Sequence, residues 1–85
     1  MTRPNISVAT FIFHRDVGDE VKRAAGLHKP MSNPHEAYAV ILEELDEFWD
    51  EVREQRHSEK NMRKELIHIA AMACRASIDL GFEDD

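Results

Sequence analysis

The stretch from Leu66 to Ala76 is apolar on nearly every side of a helix, and it sits in a chain of only 85 residues. A helix without a polar face belongs in the middle of a bundle, where neighbours cover it all round. Two companion helices cannot enclose it. The expectation is therefore an all-α chain of three helices whose bundle is completed by oligomerisation, as a homodimer or homotetramer. Length points the same way, since a chain this short buries only about 60–65% of the surface it exposes when unfolded.

Helix boundaries follow from punctuation, and the whole chain, residues 1–85, reads as one domain. The first helix is expected over about 7–25, from Val8, Phe11, Ile12, Val21 and Ala24, with Gly18 as a weak point and Gly26 as the stop. Lys29 to Pro34 then forms a loop, because its two prolines oppose helix continuation. The second helix, 34–57, has the clearest start: Asn33 as N-cap, Pro34 in the first turn and Glu36 completing a capping box. Tyr38, Ile41, Leu42, Leu45, Phe48, Trp49 and Val52 follow at three- and four-residue intervals, which predicts one broad buried face with Trp49 in the core. The third helix is expected over 59–80, ended by Gly81 in a left-handed cap with Phe82 packing beyond it.

Charge narrows the function classes. Residues 1–31 carry five Lys/Arg against three Asp/Glu, whereas residues 32–57 carry two against eight. An acidic middle disfavours a nucleic-acid partner, which needs a basic face to neutralise phosphates. It suits a cation site or a basic partner protein instead. The longest apolar run, Ile69 to Cys74, is far below the ~20 residues of a membrane span, and no signal-peptide core precedes the first helix. Cys74 is the sole cysteine, expected to be a buried packing residue, so no disulfide framework is expected and the compartment expected is the cytoplasm.

Seven acidic residues fall between Glu43 and Glu54. Glu43, Asp46, Asp50 and Glu54 read as a solvated face, since like-charge neighbours on an exposed helix cost only about 0.2–0.5 kcal/mol per pair. Glu44, Glu47 and Glu51 instead border the apolar face. Carboxylates three residues apart can converge on a hard cation such as magnesium. Glu65 and His68 repeat that spacing on the third helix, where Met72, Arg75 and Asp79 continue the stripe. An antiparallel second and third helix would bring Glu44, Glu47 and Glu65 around one cavity. A structural salt-bridge network, with Arg75 as the counter-charge of Glu65, explains Glu65 about as well. His68 alone is most often a hydrogen-bonded core residue, and its imidazole suits transition metals better than magnesium. His14, His28, His35 and His57 show no ligand spacing among themselves.

The run Glu43-Glu44-Leu45-Asp46-Glu47, followed by Glu65-Leu66-Ile67-His68, resembles the paired E-E-x-x-E and E-x-x-D motifs of the MazG-like all-α NTP pyrophosphatases, over roughly Asn33 to Leu80. The resemblance implies magnesium, with manganese as the alternative ion, held by Glu44, Glu47, Glu65 and His68. It implies a nucleoside triphosphate substrate cleaved to the monophosphate and pyrophosphate, with Glu43 as candidate for positioning the attacking water, although the helical wheel sets Glu43 apart. His68 stands where the family has aspartate, and that departure lowers the expected metal affinity. Lys60 and Lys64, just ahead of Glu65, are candidates to neutralise the phosphates, against a plain solubilising role that Arg63 fits best. Phe11, His14 and Trp49 are of a type to stack on a base. A catalytically degenerate nucleotide-binding or protein-interaction module is the alternative reading.

Overall fold

The computed structural model describes residues 2–55 and 58–82, and all regular structure among them is helical: α1 (Ile6–Leu27), α2 (Pro34–Arg53) and α3 (Glu59–Asp79). Each helix starts on a side-chain cap. Asn5 Oδ1 accepts from the Val8 N–H at 3.1 Å, Asn33 Oδ1 from the Glu36 N–H at 2.9 Å, and Ser58 Oγ from the Asn61 N–H at 3.2 Å. These caps satisfy amide donors that the first helical turn leaves without partners. The capping box of α2 is shifted by one residue: Glu36 reaches past Asn33 and accepts from the Ser32 N–H and hydroxyl at 3.1 and 2.6 Å.

Two stops differ from expectation. Gly26 does not end α1, which runs one residue further to Leu27 and closes with the His28 N–H donating to the Ala24 carbonyl at 3.0 Å. His28 takes an extended conformation, so no left-handed residue is required there. The second helix ends at Arg53 rather than near 57, with Glu54 extended; His57 lies outside the described residues. Gly81 does take the left-handed conformation, φ 73°, and the Phe82 and Gly81 N–H groups donate to the Ser77 and Ile78 carbonyls, the paired bonds of a Schellman cap. Phe82 itself stays largely exposed.

α3 is the middle element. Both other helices pack on it, and among the described residues α1 and α2 do not pack directly on each other. Contacts of α1 and the loop after it with α3 rise together along both segments: Asp16 pairs with Arg63, Glu20 faces His68, and the Lys29 carbonyl accepts from Arg75. That order makes α1 parallel to α3. The order reverses for α2, where Glu51 meets Asn61 and Glu44 meets His68, so α2 and α3 are antiparallel.

The core consists of Ala24, Met31, Ala37, Ala71, Met72 and Ala76. Small side chains at the contact let helices approach closely, and flexible methionines fill what remains. Met31 comes from the loop, fully buried, and its burial contributes about 1.5–3 kcal/mol. Its N–H donates to Asp79 at 2.9 Å, while Arg75, only 6% exposed, bonds Asp79 at 3.4 Å and the Lys29 carbonyl at 3.1 Å. Arg75 therefore anchors the loop between α1 and α2. It is not the counter-charge of Glu65, an alternative the sequence left open.

The broad face of α2 is not buried as a whole. Ile41 and Phe48 are half-buried towards α3, but Tyr38, Leu42, Leu45, Trp49 and Val52 are exposed, and Trp49, expected in the core, keeps 57% of its surface. The sequence pattern merged two adjacent stripes, because three- and four-residue intervals describe apolar positions without saying what covers them. Cys74 and Leu66 of α3 are likewise exposed. Among the described residues, no helix is long and apolar enough to cross a membrane.

Candidate metal centre

The antiparallel crossing of α2 and α3 sets two i, i+3 pairs at the same height. Glu44 and Glu47 come from the middle of α2, and Glu65 and His68 from the first half of α3, so that one ligand atom from each lies within 4.8 Å of all the others. His68 Nδ1 stands 3.4 Å from Glu44 Oε2 and 3.6 Å from Glu65 Oε2. Those two carboxylate oxygens are buried and lack a hydrogen-bond partner among the described residues. Buried acceptors left unmatched are costly, and convergent ones define a place for a cation.

The electrostatics agree with the geometry. Burial, reinforced by the adjacent Glu47 carboxylate, pushes the Glu44 carboxyl up to about 7 from an ordinary 4.5. Glu65 is raised for the same leading reason, burial, followed by its proximity to Glu47. Carboxylates this close cannot all ionise at low cost unless a positive charge joins them.

α1 supplies two further residues that the sequence pattern did not reveal. Glu20 Oε2 lies 3.8 Å from His68 Nε2, so the imidazole has carboxylates on both edges. Arg23 holds Glu20 at 2.6 and 2.8 Å through two bonds, and this hydrogen bonding keeps the Glu20 carboxyl below its ordinary value. Glu20 was findable in principle, as it occupies the same helical stripe as Asp16 and Ala24. The weak periodicity of α1 hid which stripe would face α3.

Beside the donors, the gap between α1 and α2 forms a cleft of about 450 Å³ floored by α3. Arg23, His28 and Lys29 line it from the α1 side, Glu36, Glu43 and Glu44 from α2, and His68, Met72 and Arg75 from α3. Glu43 lines it and is exposed, as are Asp46 and Asp50 elsewhere on α2 and Glu54 just past its end. Of the two lysines expected near phosphate, both are exposed and neither lines the cleft. Lys64 acts on the site through its charge, favouring the ionised forms of Glu20 and Glu65, whereas the cations lining the cleft are Arg23, Lys29 and Arg75, the last already engaged with Asp79 and the Lys29 carbonyl.

Phe11 and Trp49 are exposed away from the cleft, and His14 borders a separate open groove at the start of α1 with Arg3, Phe13 and Arg63. Arg63 is more than a solubilising charge: it bonds Asp16 at 2.9 Å and lies 5.7 Å over the Phe13 ring, tying α1 to α3. Set against known protein families, curated proteins and solved structures, the chain finds no match.

Proposed function

We propose that the chain is a divalent-cation-dependent nucleotide pyrophosphohydrolase of the MazG-like kind. The observation that carries this reading is the convergence of Glu44, Glu47, Glu65 and His68 from two antiparallel helices, with two buried carboxylate oxygens left without partners. Three carboxylates and an imidazole fit a divalent ion. Carboxylate oxygens suit magnesium, while the nitrogen of His68 tilts the set towards manganese or another transition ion. When bound, such an ion neutralises phosphoryl charge and lowers the pKa of a coordinated water.

The chain's own residues would do the remaining work. Arg23 and Lys29 face the cleft and would meet the charge of the phosphate tail. Glu43, at the cleft edge, would orient the attacking water and accept its proton. Attack at the α-phosphorus breaks its bond to the bridging oxygen. Products are the monophosphate and pyrophosphate, with the water proton released to the base.

A panel of nucleoside and deoxynucleoside triphosphates with magnesium or manganese tests this directly, with Glu44→Gln and Glu65→Gln as controls. Pyrophosphate release lost in both variants supports the assignment; pure protein that turns over none of them sinks it.

A second reading is favoured by one specific observation. The imidazole of His68 sits between Glu44, Glu65 and Glu20, and once protonated it would supply the positive charge a metal otherwise brings. The chain would then be a silent relative that binds nucleotide or a protein without cleaving. Calorimetry separates the two, because binding of manganese by the unmodified protein is required by the first reading and not by the second.

A further inference from the structure

We propose that a second copy of the chain docks along the exposed stripe of α2, antiparallel to it, with Leu42 of each copy against the partner's Leu45. Tyr38, Leu42, Leu45, Trp49 and Val52 are spaced by four, three, four and three residues, the 3.5-residue repeat of a coiled-coil seam. All five keep surface free within one copy: Tyr38 is 68% exposed, Trp49 57% and Leu45 49%, with Leu42 and Val52 less so at 38% and 36%. The residues that α2 turns towards α3 and the cleft, among them Ala37, Val40 and Glu44, occupy a different side of the helix.

Area supports a whole interface rather than a scatter of surface residues. With full aromatic side chains at ~150–250 Å², the five together expose on the order of 500 Å², already at the upper end of apolar patches on monomers. Two copies face to face would remove on the order of 1,000 Å², the size at which a specific interface begins.

Charge selects the direction. The second half of α2, from Glu43 on, holds six Asp/Glu, with Glu54 just beyond its end, while its first turns carry only Glu36. A parallel pair would set two acidic halves side by side. In the antiparallel register, each acidic half lies along the partner's nearly neutral first turns and approaches the positive end of its helix dipole. That register is also self-consistent. When Leu42 meets the partner's Leu45, Tyr38 meets the partner's Trp49 and Val52 meets the partner's His35, so every seam residue is used. Asp46, the one carboxylate flanking the seam, falls beside the partner's Ala39. A surface that complements itself under a two-fold axis specifies a second copy rather than an unrelated protein.

Sedimentation equilibrium on the intact chain is the test, with and without chelator. The expected mass is twice that of the monomer in both conditions. Leu42→Glu combined with Leu45→Glu should raise the dissociation constant by on the order of 100-fold or more, since unpaired charges would be buried. Helical circular dichroism should persist, because both positions are exposed within one copy. Phe11→Glu, which alters the other large apolar patch at the start of α1, should leave the dimer intact. Orientation has its own readout: with Cys74→Ser, the pair Ala39→Cys and Asp46→Cys should form an interchain disulfide on mild oxidation. A monomer at every concentration, or a dimer that survives the seam charges, overturns the proposal, and a dimer without that crosslink overturns the antiparallel register.

Discussion

Raising the pH of the metal-free protein from about 5 to about 8 should lower its stability, against the usual direction for a protein rich in carboxylates. Glu44 carries its carboxyl at about 7 when folded and 4.5 ordinarily. Between those values the folded chain keeps a proton that the unfolded chain releases. Stability from this group is therefore complete below 4.5 and lost as pH rises through 7. At about 1.4 kcal/mol per unit, the full displacement corresponds to about 3 kcal/mol. The side chain keeps 20% of its surface, so screening by water and salt reduces this to on the order of 1 kcal/mol. Glu65 moves in the same direction. For a domain of this size, 1 kcal/mol is about 4–8 °C in Tm. A divalent ion at ten times its dissociation constant restores about 1.4 kcal/mol, provided it binds only the folded chain. Thermal melts at fixed protein concentration, followed by circular dichroism, should show Tm falling with pH in chelator and rising on addition of manganese, more at high pH than at low. A Tm that is flat or higher at alkaline pH in chelator, with the same manganese effect at both ends, would refute the reasoning.

Removing one of the crowded charges should separate stability from ion binding. Glu65→Gln should stabilise the chelated protein by on the order of 1 kcal/mol at alkaline pH, measured by urea denaturation, while abolishing the manganese response. His68→Asp exchanges a nitrogen donor for an oxygen, so magnesium affinity by calorimetry should rise on the order of tenfold; an unchanged affinity would show that His68 is not a donor. Arg75→Ala should cost about 3 kcal/mol in the same urea assay, because it strands the carboxylate of Asp79 and the Lys29 carbonyl in a buried setting. At Gly81, alanine meets no neighbouring atom but must adopt φ 73°, so Gly81→Ala should cost about 1 kcal/mol through the backbone alone.

Much of this was legible because the signals were local. Asn33, Pro34 and Glu36 place the start of α2 through hydrogen bonds made within four residues, and Gly81 places the end of α3 by its backbone freedom. The three candidate carboxylates were legible for a similar reason: i, i+3 spacing sets Glu44 and Glu47 on one face of α2, and a short connection makes α2 and α3 antiparallel so that Glu65 meets them, whereas His68 entered as a donor only through the family resemblance. What escaped depends on rotation of one helix against another. Glu20 and Arg23 reach the site only through the angle at which α1 meets α3, which the mixed pattern of α1 leaves undetermined. Trp49 and Cys74 escaped because periodicity measures apolarity and not cover, so a second apolar stripe on α2 looked like part of the first.

The two halves of α3 explain why a core of small residues and a cluster of strained carboxylates occur together. One face of that helix carries Glu65 and His68 in its first half, then Met72, Arg75, Ala76 and Asp79 in its second. Ala71 and Ala76, with Ala24 and Ala37 opposite them, let α1 and α2 come close to the α3 backbone. That closeness is what allows side chains as short as glutamate and histidine to meet at the other end of the same face. Larger residues would bury more apolar surface and raise stability, but they would spread the helices and separate the donors. A core of small side chains thus accompanies the spacing at which the four candidate donors converge, and the exposed apolar stripe of α2 is where further burial can be added without altering that spacing.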